Sequence, residues 1–117
     1  MSLVLHFNTF NGEFAEIAKM DILDSVFESF GNTNLVKQIF ENPEDEDDGF
    51  DLYLKYEYGL NIDYAYLKQL GDEHEIFVLV YDLTERTRIG YWYDEDDAWV
   101  TSSMSNETIQ EINRLFE

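Results

Sequence analysis

Carboxylates are the commonest reactive group in this chain, and two runs of them are dense enough to suggest a cation site: Glu44-Asp45-Glu46-Asp47-Asp48-Gly49 behind Pro43, and Asp94-Glu95-Asp96-Asp97. A calcium loop of the D-x-[DN]-x-[DN]-G-x5-E type needs glycine at its sixth place and a bidentate carboxylate at its twelfth. With Gly49 at the sixth place, Glu44, Glu46 and Asp48 fill the acidic positions, but Lys55 falls where the bidentate acid must sit. In the second run the glycine place falls on Trp99. Neither run is a calcium loop. His6 and His74 are the only histidines and stand in no HxH or HExxH spacing, so no zinc or iron centre is expected. Cysteine is absent, which removes thiolate ligands, disulfides and thiol nucleophiles together. No G-x-S-x-G, Walker, G-x-G-x-x-G or Ser-x-x-Lys pattern occurs. Twenty-six acids supply a carboxylate pair in any fold, so such a pair carries no information about acid–base catalysis. The expectation is a protein without catalytic residues, metal or cofactor.

The stretch with most functional content runs from Arg88 to Trp99, where Tyr91, Trp92, Tyr93 and Trp99 bracket Asp94, Glu95, Asp96 and Asp97. Large rigid rings edged by carboxylates are the anatomy of a protein-binding patch: the rings supply contact area and the acids steer a cationic partner. On a strand, Tyr91 and Tyr93 face one way and Trp92 the other, so at least one set is available outside the core.

Charge points the same way. Twenty-six Asp and Glu against seven Lys and Arg give a formal charge of −19, yet 44% of the residues are hydrophobic and 16% aromatic. Disordered acidic segments lack that apolar content, so this is a folded acidic domain. Its self-repulsion makes sense if something basic docks onto it. Scattered Lys and Arg argue against direct binding to nucleic acid or to an anionic membrane. MSLVLHFNTF is not a signal peptide and the longest apolar run, Ile76 to Tyr81, is too short to span a bilayer, so a cytoplasmic protein is expected.

In size, acidity and lack of cysteine, with the runs Glu44 to Asp48 and Asp94 to Asp97 beside Tyr91, Trp92 and Tyr93, the chain resembles the small immunity proteins of bacterial toxin–immunity pairs, including those of contact-dependent growth inhibition. The resemblance implies a cytoplasmic, non-enzymatic inhibitor that binds one cognate toxin domain, often a basic nuclease. Its expected contact residues are Glu44, Asp45, Glu46, Asp47, Asp48, Tyr91, Trp92, Tyr93, Asp94, Glu95, Asp96, Asp97 and Trp99. Two other readings stand beside it. In one, carboxylates two apart, as in Asp45 with Asp47 and Asp94 with Asp96, imitate phosphate spacing in a nucleic-acid mimic of the phage anti-defence kind. In the other, the chain is an adaptor or subunit whose charge serves solubility alone.

These residues need a scaffold, and 117 residues suit one domain. Leu3 to Phe10 reads as an edge strand followed by an Asn11-Gly12 turn. Glu13 to Phe30 reads as an amphipathic helix stopped by Gly31, and Leu35 to Phe40 as a short second helix ended by Pro43. Leu52 to Tyr58 alternates as a half-buried strand. Ile62 to Leu70 fits either period and is assigned to strand on its Ile and Tyr content. Ile76 to Leu83 has the unbroken apolar character of a central strand. Arg88 to Tyr93 and Ala98 to Thr101 form a hairpin, and Ser105 or Asn106 caps a terminal helix carrying Ile109, Ile112, Leu115 and Phe116. The expected fold is α+β: an antiparallel or mixed sheet of four to six strands packed by a long N-terminal helix, a short second helix and a C-terminal helix.

Overall fold

The computed structural model describes residues 2–9, 15–41, 49–57, 61–92 and 98–117. They form six strands and three helices: β1 (Leu3–Thr9), α1 (Ala15–Phe30), β2 (Leu35–Glu41), β3 (Phe50–Tyr56), α2 (Tyr64–His74), β4 (Phe77–Asp82), β5 (Thr87–Tyr91), β6 (Trp99–Ser103) and α3 (Asn106–Leu115). The fold is α+β, built on one open antiparallel sheet in the order β2-β3-β1-β4-β5-β6. Among the described residues no helix is long and apolar enough to cross a membrane.

Every neighbouring pair in the sheet is antiparallel. β1 and β2 are therefore parallel to each other with β3 inserted between them, and β3 and β4 are parallel with β1 between. Parallel strands need a long crossover, and a helix provides each: α1 carries the chain from β1 to β2, and α2 from β3 to β4. Both helices bury their apolar residues on the same sheet face. Ile22, Leu23 and Val26 of α1 and Leu67 and Leu70 of α2 meet Leu5, Phe7, Leu52, Leu54, Val78, Val80 and Tyr91 in the main core. α3 covers the other face, where Ile112 packs with Val4, Tyr81 and Met104.

β1 is the spine of this sheet, bonded to β3 on one side and β4 on the other, rather than the edge strand its weak alternation implied. Alternation is weak because both faces are covered: Leu3, Val4, Leu5 and Phe7 are buried, and His6 with them at 8% exposure. Two further expectations are corrected. The expected second helix at 35–40 is strand β2, an edge strand paired to β3 with a bulge between Leu35 and Lys37. Leu35, Val36, Ile39 and Phe40 keep helical spacing rather than strand alternation, but the bulge between Leu35 and Lys37 offsets the strand's phase and the open edge of β3 favours β-branched Val36 and Ile39 in extended form. Conversely, the segment assigned to strand at 62–70 is helix α2. Asp63 caps it by accepting from the Tyr66 amide at 3.1 Å, and Glu75 closes it in the left-handed conformation at φ 55°. Tyr66 then donates to the Ser25 carbonyl at 3.0 Å, tying α2 to α1.

Ile76 to Leu83 is central as expected, realised as β4 between β1 and β5. The terminal helix is capped by Ser105, whose hydroxyl accepts from the Thr108 amide. Phe10, the Asn11-Gly12 turn, the first residues of the expected N-terminal helix, Pro43 and Tyr58 lie outside the described residues.

Candidate functional site

Strand register determines where the two acidic runs attach. Glu41 pairs with Asp51, Asp51 with Asn8, Asn8 with Phe77, Val78 with Tyr91 and Tyr91 with Trp99. One end of the sheet thus holds the end of β2, the start of β3, the end of β5 and the start of β6. The chain enters the run Glu44 to Asp48 and leaves it at this end, and it does the same for Asp94 to Asp97. Glu44, Asp45, Glu46, Asp47, Asp48, Tyr93, Asp94, Glu95, Asp96 and Asp97 themselves lie outside the described residues. β3 and β5, where the runs attach, are three strand spacings apart, about 14 Å. Asp72, Glu73 and Glu75 close α2 just before β4 starts at the same end. Antiparallel topology therefore brings to one sheet end the points where two acidic segments, far apart in sequence, attach.

The aromatic residues divide between the faces. Tyr91 is 1% exposed, with its ring in the main core and its hydroxyl donating to Asp72, so it offers no surface to a partner. Trp99 is half-buried on the same face, its ring centroid 5.1 Å from Tyr64 and 5.4 Å from Tyr91. Trp92 lies on the opposite face, folded back over Gly90 and touching the space beside Leu79. Gly90 pairs with Leu79 on one side and with Val100 on the other, and Val100 is 52% exposed. Trp92, Leu79 and Val100 thus make an apolar patch on the α3 face, next to the acidic end. Trp92 and Trp99 do not form one anchor cluster.

Sequence reasoning missed a third group. On the α3 face, His6 Nε2 lies 2.7 Å from Asp51 Oδ1, and Asn8 Nδ2 donates to the same oxygen at 2.7 Å. A carboxylate only accepts, so Nε2 carries a proton toward Asp51, and Nδ1 lies 3.3 Å from the Tyr81 hydroxyl. The imidazole stacks on Tyr53 with centroids 4.1 Å apart. Hydrogen bonding from His6, opposed by burial and helped by Asn8, holds the Asp51 carboxyl below its usual range. Burial pushes the Tyr53 and Tyr81 phenols up, so both remain neutral donors near pH 7. His6 and Asp51 share the phase of Val4 and Tyr53, opposite to Leu5, Leu52 and Leu54, and the sequence carried no signal that this second face is packed under α3.

Compared with protein-family models, curated proteins and solved structures, the chain matches none.

Proposed function

We propose that this is a non-enzymatic cytoplasmic binding protein that neutralises a basic protein partner, acting as an immunity protein against a cognate nuclease toxin. The observation that supports it most is the adjacency of an apolar patch, Trp92 with Leu79 and Val100, to the sheet end where both acidic runs attach. An apolar centre beside dense carboxylate suits a partner whose own centre is apolar and whose rim carries Lys and Arg. A phosphate-binding nuclease presents such a rim. The acids would set the association rate, reaching on the order of 10⁸ M⁻¹s⁻¹ at low salt, while burial of Trp92 would slow dissociation.

The test is calorimetric titration with the toxin domain encoded directly upstream of this chain's gene, at low and high salt, alongside a nuclease assay. Stoichiometric binding that weakens with salt and abolishes cleavage supports the reading. Replacing Trp92 by Ala should accelerate dissociation by about a hundredfold, as for a hot-spot ring. No binding at any ionic strength would remove the proposal.

A further inference from the structure

The seven basic residues of this chain are not spread over the fold. Arg114 lies in α3, Arg88 on the sheet beneath it, Lys55 over the ring of Phe116, Lys37 within 3.5 Å of the Glu117 carbonyl, and Arg86 donates to Asn106 at the start of α3. Five of the seven therefore surround one helix. Two of them, Arg88 and Arg114, open into a groove of about 560 Å³ between α3 and the sheet, lined also by Tyr53, Tyr81, Thr108 and Glu111, with Ile112 and Leu115 as apolar wall. That volume falls within the roughly 300–1,000 Å³ typical of small-ligand sites. Among the described residues neither guanidinium makes a side-chain hydrogen bond or an ion pair, in a chain where acids outnumber bases 26 to 7.

Arg114 near the C-terminal end of α3 has a sufficient local reason, since a cation there complements the helix dipole. Arg88 has no such reason. It sits mid-strand between Tyr81 and Ser102, half-buried at the groove, with five planar donors and no hydrogen-bond acceptor among the described residues. Among the described residues the Tyr53 hydroxyl makes no hydrogen bond and adds a donor on the same side, while the Tyr81 hydroxyl is engaged with His6 and supplies ring wall. Acceptors in the groove are fewer: Thr108 and the exposed Glu111. A cavity rich in donors, with two fixed positive charges and aromatic walls, is complementary to a compact negative group attached to an apolar body. The net charge of −19 does not cancel this, because exposed charges are screened over about 8 Å at physiological ionic strength.

We propose that the groove between α3 and the sheet binds a small organic anion, a carboxylate or phosphate monoester on an aromatic or short apolar body, with Arg88 and Arg114 as its anchors. Glu111 at the groove repels a second negative group and so selects a ligand charged at one end. The inference is independent of the proposed inhibitory role.

The test is an amide NMR titration of the intact chain with benzoate, phenyl phosphate and inorganic phosphate, against benzyl alcohol and benzylammonium as uncharged and cationic controls. Saturable shifts with benzoate or phenyl phosphate, centred on Tyr81, Arg88 and residues 108–115, are expected, and the stronger of the two identifies the headgroup. Arg88→Gln and Arg114→Gln should each weaken binding by about tenfold, with Arg88→Lys in between, whereas Lys19→Gln, the same charge change on α1, should leave it unaltered. Arg114 is exposed on α3, so its variant remains informative if Arg88→Gln disturbs the sheet. The proposal is overturned if no anion saturates by about 10 mM, if benzyl alcohol binds as well, or if Lys19→Gln weakens binding as much as Arg114→Gln.

Discussion

Trp92 uses the missing side chain of Gly90 as its seat. A Cβ placed on Gly90 would come within 2.4 and 2.7 Å of two ring carbons of Trp92 and 3.1 Å of a Leu79 methyl. A glycine in a strand interior weakens the strand unless something fills the space, and here the indole two residues along does so. Gly90→Ala should therefore unseat Trp92 from the sheet and cost about 1–3 kcal/mol. Tryptophan emission should shift to the red, and in a Trp99→Phe background the shift should persist, because it belongs to Trp92. An unchanged spectrum would mean that the ring does not rest there.

Gly71 makes the same kind of space on the other face. It sits inside α2, where glycine ordinarily costs about 1 kcal/mol against alanine. A Cβ there would meet two atoms of the Tyr91 ring at 3.0 Å and the Ile76 carbonyl at 3.2 Å. Tyr91 has little room to yield, being buried and held by Asp72, and the carbonyl belongs to backbone fixed by the Ile76 amide, which donates to the Gly71 carbonyl at 3.0 Å. Gly71→Ala should thus destabilise by about 1–3 kcal/mol despite the gain in helix propensity. Chemical denaturation decides it: a raised midpoint would show that Tyr91 moves aside freely.

These two glycines show what could and could not be read from the residues. The α+β class, α1, β3, the central place of β4, the β5–β6 hairpin and α3 were legible, because Ile22, Val26, Leu52, Leu54 and Ile112 keep one period throughout their segments. β2 and α2 were exchanged in kind because Ile62 to Leu70 satisfies both periods, while Leu35 to Phe40 keeps helical spacing that the bulge between Leu35 and Lys37 accommodates in a strand. Tertiary partners decided them, the open edge of β3 for one and the Asp63 cap with the main core for the other. The opposite orientation of Tyr91 and Trp92 followed from strand alternation, but the seat of Trp92 on Gly90 did not. The His6 cluster was hidden for another reason: His6 and Asp51 are 45 residues apart, and only the pairing of β1 with β3 brings them together.

Asp51 gives that cluster a pH dependence of definite sign. Its folded-state carboxyl is depressed, first by the hydrogen bond with His6 and further by Asn8, against an ordinary value of 3.8. A depressed acid stabilises the fold above its unfolded value, and that stability is lost as pH falls through the folded value. The wild type should therefore exceed Asp51→Asn in urea midpoint at pH 7, and the difference should shrink below 3.8 until the two coincide. Taking the difference between the two proteins cancels the titration of the other carboxylates. A gap that persists unchanged into strong acid would assign the effect to packing of the side chain rather than to its charge.

The remaining acids act in the opposite sense, through mutual repulsion. At −19 the folded chain confines its charges more closely than the unfolded chain does, so like-charge repulsion subtracts from stability. Screening length falls from about 30 Å at 0.01 M to about 3 Å at 1 M salt, which weakens that repulsion far more than it weakens the close His6–Asp51 pair. Raising sodium chloride from about 0.01 to 0.5 M should lift Tm by roughly 3–6 °C, equivalent to about 1 kcal/mol for a domain of this size. Neutralising Glu44, Asp45, Glu46, Asp47 and Asp48 to their amides should raise Tm at low salt and remove part of the salt response, since five of the negative charges behind the net −19 are then gone. Differential scanning calorimetry separates this from its rival. If the acids were held in stabilising ion pairs, salt would lower Tm, and the five amides would lower it further.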